Sequence, residues 1–191
     1  MSKKVETPIL ETERLVLQPL SEEAVDDIQK YFNNWNIIKN LLDSVPWPYP
    51  DNGARDFLDN KAFPRIKEGK AHIWTIRLKQ NQQETIGLIE FRDDPDVRDD
   101  HRGFWLAEPF WRNGYMTEAT IAVNDFIFFT ANKDKIIVCN TADNEGSKRV
   151  KEKTGAKFLY YKDMPHHRGK TKTAVWELTA ENWKEFRDEN K

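Results

Sequence analysis

FWLAEPFWRNGYMTEA, from Phe104 to Ala119, reads as the end of a strand, a tight turn around Gly114 and the start of a long helix. At such a junction successive backbone N–H groups converge on one point, and the helix dipole adds positive potential there. Gly114 lets the main chain approach a ligand with no Cβ in the way. The pattern fits an anion site at a helix N-terminus. Taken alone it also fits a plain turn, so the rest of the chain must decide.

Working outward, Arg102 to Leu106 (RGFWL) reads as a central strand that Pro109 ends. Ahead of it, His72 to Leu78 and Thr85 to Phe91 read as a hairpin across the polar run Gln80 to Gln83. Arg92 to Asp100 is a charged loop. Arg14 to Leu20 (RLVLQPL) reads as an opening strand, and Ser21 with Glu23 to Phe32 as a capped helix with early acids. Trp35 to Leu42 suits a second short helix. Ser44 to Gly53 holds three prolines and must be an irregular loop. Ala54 to Glu68 is helical in pattern, with Pro64 breaking or kinking it.

On the other side, Met116 to Phe129 is apolar almost all round, as a helix packed closely on a sheet would be. Ile136 to Cys139 is a short apolar run that suits a buried strand. Asn144 to Lys153 forms a further helix, with Asp143 or Asn144 as N-cap and Gly155 at its left-handed end. Phe158 to Tyr161 and Ala174 to Leu178 complete the sheet. This order gives an α/β (α+β) fold with a mixed sheet.

A chain of 191 residues suits one domain, here spanning 1–191, with a sizeable core. No apolar run approaches the ~18 residues of a membrane span, and MSKKVETPIL lacks the apolar stretch of a secretory signal. The single cysteine, Cys139, excludes an intrachain disulfide and suits a reducing cytoplasm. A net charge of −2 with no basic block gives nucleic-acid binding no electrostatic support. His166 and His167 have no partnering cluster, so no metal is expected.

The stretch Trp111-Arg112-Asn113-Gly114-Tyr115-Met116 resembles the acyl-CoA-binding motif Q/R-x-x-G-x-G/A of the GNAT acetyltransferases. The surrounding GFWLAEPFW and GYMTEA look like the RimJ/RimL-like branch, as do ETERLVLQPL, IIVCNTADNEGSKRVKEKTGAKF and VWELTAENW, in the correct order along nearly the full length. Trp111 and Met116 depart from the motif. Only backbone is asked to bind there, and Met116 can still present its N–H if its side chain turns into the core.

The resemblance implies a mostly antiparallel central sheet flanked by helices, with splayed parallel strands at the acyl-CoA site. Arg102–Leu106 and Ile136–Asn140 should be neighbours that diverge near Ala107, the helix between them forming the crossover. It also implies acetyl-CoA as co-substrate, its pyrophosphate on the amides of Arg112, Asn113, Gly114, Tyr115, Met116 and Thr117, with Trp111 also at the cofactor site. The pantetheine arm would lie along the strand ending at Leu106 and meet Asn144. For the base, the family's early-strand Glu aligns with His101, and Glu90 competes from the neighbouring strand. The family's usual tyrosine acid is replaced by Lys151, which leaves Ser147 as the substitute. Trp47 and Tyr49, fixed by prolines, would line the acceptor cleft.

The implied reaction moves the acetyl group to a primary amine, with a protein or peptide N-terminus suggested by the branch. A small amine (polyamine, amino acid or antibiotic) and a catalytically weak acyl-CoA-binding module remain the alternatives. The expected partners are acetyl-CoA and an amine acceptor, without nucleic acid or membrane, the protein being a monomer or homodimer.

Overall fold

A computed structural model describes residues 5–93 and 99–190. Five strands form one antiparallel sheet in sequence order: β1 (Leu10–Glu11), β2 (Leu15–Pro19), β3 (Ala71–Leu78), β4 (Gly87–Arg92) and β5 (Arg102–Leu106). A second antiparallel sheet holds β6 (Lys135–Thr141) and β7 (Lys157–His166) on either side of β8 (Gly169–Thr179). Side chains alternate across each strand, so adjacent residues serve different cores. Ile73 and Leu88 pack under α1 (Val25–Phe32) and α3 (Gly53–Phe57), with Ile28 and Ala54. A short α2 (Trp35–Ile38) lies between those helices in sequence, and α4 (Phe63–Lys67) follows them. Trp74, Ile76 and Ile89 face the other way, against Met116, Ala119 and Val123 of α5 (Tyr115–Asp125). Among the described residues no helix is long and apolar enough to cross a membrane.

The GNAT-like α/β architecture is present, and it differs from expectation at its centre. β5 and β6 do not form a parallel ladder that parts near Ala107. A single backbone hydrogen bond joins the two segments, from His101 N–H to the Ile137 carbonyl at 2.9 Å, and the split begins there. Three contacts account for it. The His101 carbonyl accepts from Arg92 N–H at 2.8 Å, on the β4 side. Cys139 N–H, next along β6, goes to Asp100 Oδ1 at 3.2 Å. At the far end of β5 the Leu106 carbonyl accepts from the Trp111 indole at 2.7 Å.

Other departures have local causes. The helix expected over Ala54 to Glu68 runs past Pro64, because a wider π-helical turn at Leu58–Ala62 precedes α4. That turn accommodates a residue with no N–H to give. β7 and β8 are longer than the apolar runs suggested, since β7 is an edge strand and tolerates Pro165. Residues 94–98 of the expected charged loop lie outside the described residues. Arg92 closes β4, and Asp93 N–H donates to the Lys70 carbonyl.

The sequence reading passed over a closing helix, α7 (Ala180–Glu189). Its start was legible: Thr179 caps it by accepting from Asn182 N–H at 3.2 Å, and Trp183 and Phe186 recur at helical spacing. Trp183 is fully buried, stacks on Phe128 and Phe186, and donates its indole N–H to Asp125 at 3.0 Å. Trp183→Ala should therefore lower stability by about 3–5 kcal/mol, measured by urea unfolding. An unchanged midpoint would show that α7 is not part of the cooperative core.

Candidate active site

The split between β5 and β6 opens into a cavity of about 860 Å³. One wall is Leu88, Glu90, Gly103, Phe104 and Trp105 from β4 and β5; the facing wall is Cys139, Asn140, Asn144 and Ser147. Phe32, Leu41, Val45, Tyr49 and Phe57 close a third side. Asn144 and Ser147 belong to α6 (Glu145–Glu152) and its N-cap.

Backbone groups alternate in direction along a strand. The His101 carbonyl and Ala107 N–H bond toward β4, so the peptide groups of Phe104 and Leu106 turn toward the split. β6 has moved away from them. The Phe104 peptide and Leu106 N–H thus form a short row of main-chain groups along the cavity.

Glu90 stands directly across from Gly103 in the β4–β5 register. Its Oε1 is bonded to Arg92 Nη2, and Arg92 Nη1 donates to the Asp100 carbonyl at 3.0 Å. A Cβ on Gly103 would lie 2.4 Å from Arg92 Nη2 and 2.6 Å from Glu90 Oε1. The absent side chain is what lets the carboxylate lie over β5 and face the cavity. Below, Arg102 is 3% exposed and donates to Asn124 Oδ1 at 2.6 Å, while its Nε and Nη2 find no partner among the described residues. Burial pulls its pKa down to about 10, against the opposing effect of Asp100.

His101 is not among the lining residues. Its Nδ1 lies 3.2 Å from Ile137 N–H, and this contact holds the ring on the β6 backbone. The position aligned with the family Glu thus places its ring as a clasp between the two sheets.

Asn144 uses Oδ1 to accept from Ser147 N–H at 3.1 Å, which caps α6. Its Nδ2 remains as a donor at the cavity wall. Ser147 is 9% exposed. Cys139, expected in the core, is 6% exposed and also touches the cavity. Tyr49 lines the cavity and packs edge-on against Phe32; burial and Asp56 push its phenol up to about 12, so it is a donor at neutral pH. Trp47 does not line the cavity; it is 40% exposed and packs on Trp35. His166 has a structural place missed in the sequence: its ring nitrogens contact the Leu41 carbonyl at 2.9 Å and Thr173 Oγ1 at 3.1 Å, which fixes the loop bearing Leu41. Among the described residues no cluster of His, Cys, Asp and Glu could hold a metal.

The turn before α5 completes the site. Gly114 has φ +81°, a left-handed conformation that strains any other residue. The amides of Arg112 to Thr117 donate to no described residue, apart from those a helix leaves free at its start. Met116 is 8% exposed and packs in the core with Trp74, so its bulk points away from the turn. Arg14 fastens this turn from behind. It donates to the Asn113 carbonyl at 2.9 Å, pairs with Glu118 at 2.7 Å and lies over the Tyr115 ring.

The family profile for acetyltransferase (GNAT) domains matches residues 14–157. The chain belongs to the GNAT acetyltransferase family. An uncharacterized N-acetyltransferase of Bacillus subtilis, YoaA, is 26% identical over 172 residues, covering 83% of this chain and 92% of that protein. Solved folds are similar too. RimL, the ribosomal L7/L12 α-N-protein acetyltransferase in complex with coenzyme A, superposes with a TM-score of 0.75 at 16% identity, over 90% of this chain and 98% of that one. RimJ of Mycobacterium smegmatis, in complex with a CoA disulfide, gives 0.77 at 14% identity, over 92% and 88%.

For a GNAT enzyme, which is an acetyl-CoA-dependent acyltransferase, the turn offers what a pyrophosphate requires: free amides, a helix N-terminus and a glycine at positive φ. Its weak point is Glu118, an acid in the first turn of the helix beneath an anion site. Burial alone would raise its pKa, but hydrogen bonds from Thr12 and Arg14, with the Arg14 charge, hold it below the usual carboxylate range. A depressed carboxylate contributes above its unfolded value and loses that contribution as pH falls through the folded one. The stabilising contribution of the Arg14–Glu118 pair should therefore persist down through the ordinary glutamate range and be lost only below it, read as the pH dependence of the urea midpoint. Arg14→Ala leaves the Glu118 charge uncompensated and should weaken CoA binding about tenfold, equivalent to roughly 1.4 kcal/mol, by calorimetry. Gly114→Val should weaken it further with the fold kept. Wild-type affinity in both variants would exclude this turn as the phosphate site.

Proposed function

We propose that the protein transfers the acetyl group of acetyl-CoA to the N-terminal amine of a protein or peptide, as a single domain of the RimJ/RimL-like branch. One observation carries the reading: Glu90 and Ser147 line the same cavity from opposite walls, together with Phe104, whose peptide groups face the split. The lone, buried Cys139 suits a reducing, cytoplasmic setting.

In this reading the pyrophosphate sits on the turn from Trp111 to Thr117, and the pantetheine arm runs along Phe104 and Leu106, with Asn144 Nδ2 donating to it. The amine enters past Tyr49 and Phe57. Glu90 takes its proton as the nitrogen attacks the thioester carbon. A main-chain N–H of β5 stabilises the oxyanion, and the sulfur leaves toward Ser147. The name of the RimL neighbour, an α-N-protein acetyltransferase, favours a protein N-terminus over a polyamine, amino acid or antibiotic. A merely acyl-CoA-binding module would have no use for a carboxylate held over a glycine.

Thiol release from acetyl-CoA should be stimulated most by N-terminal peptides in a panel that includes small amines. Glu90→Gln should slow release by about 10²–10⁴-fold with acetyl-CoA affinity kept, while His101→Ala should act through stability alone. If His101→Ala costs the rate and Glu90→Gln does not, the base is misassigned. Release only with small amines would reject the peptide acceptor.

A further inference from the structure

Lys151 and Ser147 stand four residues apart on one face of α6, and Lys151 Nζ donates to Ser147 Oγ at 2.9 Å. Ser147 lines the cavity; Lys151 lies behind it, 1% exposed, with Nζ 5.6 Å from the centre of the Phe104 ring. Phe104 is a β5 residue whose main chain faces the split. The pair therefore sits across the gap from the place where the thioester would lie.

The donor count fixes how the pair is wired. An ammonium has three donors and no acceptor, whereas a hydroxyl has one donor and two lone pairs. The lysine must donate and the serine accept, so the single O–H of Ser147 is left to point elsewhere. Ser147 Oγ donates to no described residue. The cavity is the direction left to it. Burying an ammonium is costly, and a methionine would fill the same space without that cost.

We infer that Lys151 is a positioning residue for the departure of the thiol: it aims the Ser147 hydroxyl at the leaving sulfur and resupplies the proton that Ser147 gives up. This rests on the acetyl-transfer reading above. As the tetrahedral intermediate collapses, the carbon–sulfur bond breaks and its electron pair goes to sulfur. Sulfur takes the Ser147 Oγ proton, Oγ takes one from Lys151 Nζ, and the lysine is left as a neutral amine. Glu90 meanwhile holds the proton from the acceptor amine. Exchange with solvent afterwards restores both groups, so no other reactant is required.

The test is a double-mutant cycle on the acyl-transfer step, read in single-turnover mixing with acetyl-CoA and the best acceptor from the panel. Lys151→Met should lower the rate about 10- to 100-fold, somewhat less than a full general acid is worth, with acetyl-CoA affinity within about twofold of wild type. Ser147→Ala, a small change that leaves folding intact, should lower it at least as far. The double variant should be no slower than Ser147→Ala, because the lysine acts through the serine. A wild-type rate in either single variant, multiplying effects in the double, or a loss of affinity without a loss of rate would overturn the relay. Normal turnover by the wild type that Lys151→Met leaves unchanged overturns the relay alone. No turnover by the wild type with any amine overturns the acetyl-transfer reading, and the relay with it.

Discussion

The separation of β5 from β6 is the constraint on which the rest of the structure depends. Two strands joined by an eleven-residue helix, α5, would ordinarily pair along their length. Here one backbone hydrogen bond at His101 holds them, and three competing contacts stop it from propagating. Asp100 matters most among these, since its carboxylate takes the Cys139 N–H that would extend the pairing. Unpaired peptide groups are costly to bury. A gap that leaves the Phe104 peptide and the Leu106 N–H without a strand partner has the form of a slot for an extended ligand.

Charge placement follows the same economy. Acids and bases in and around the gap are held in fixed pairs: Glu90 on Arg92, Glu118 on Arg14 and Asp143 on Arg168. Glu90 differs in being set over a glycine, where the carboxylate faces the cavity and still keeps its partner. The Arg14–Glu118 pair answers a different need. A first-turn acid suits the helix dipole but opposes a phosphate, and the arginine removes the conflict while tying the turn to the β1–β2 corner.

Much of the fold was legible in the sequence, because its signals were local. RGFWL, the glycine turn and the apolar helix gave β5, the left-handed turn at Gly114 and α5 almost to the residue. Thr179 and Trp183 carried an equally clear helix signal that a focus on the closing strand concealed. Contacts between distant segments were not legible. That His101 would clasp β6 rather than face the cavity depends on where Ile137 lies, 36 residues away. Trp47 and Tyr49 sit two residues apart in one loop, yet one turns outward and the other inward, a choice made by packing against Phe32. Lys151 read only as a missing tyrosine until its contact with Ser147 gave it a place.

Amide hydrogen exchange with and without saturating CoA tests the central claim most directly. If the gap receives the pantetheine arm, the amides of Phe104 and Leu106 and those of Arg112 to Thr117 should slow together, while the edge strand β7 keeps its rates. Protection elsewhere on the surface with β5 unchanged, or no protection at all, would contradict the account.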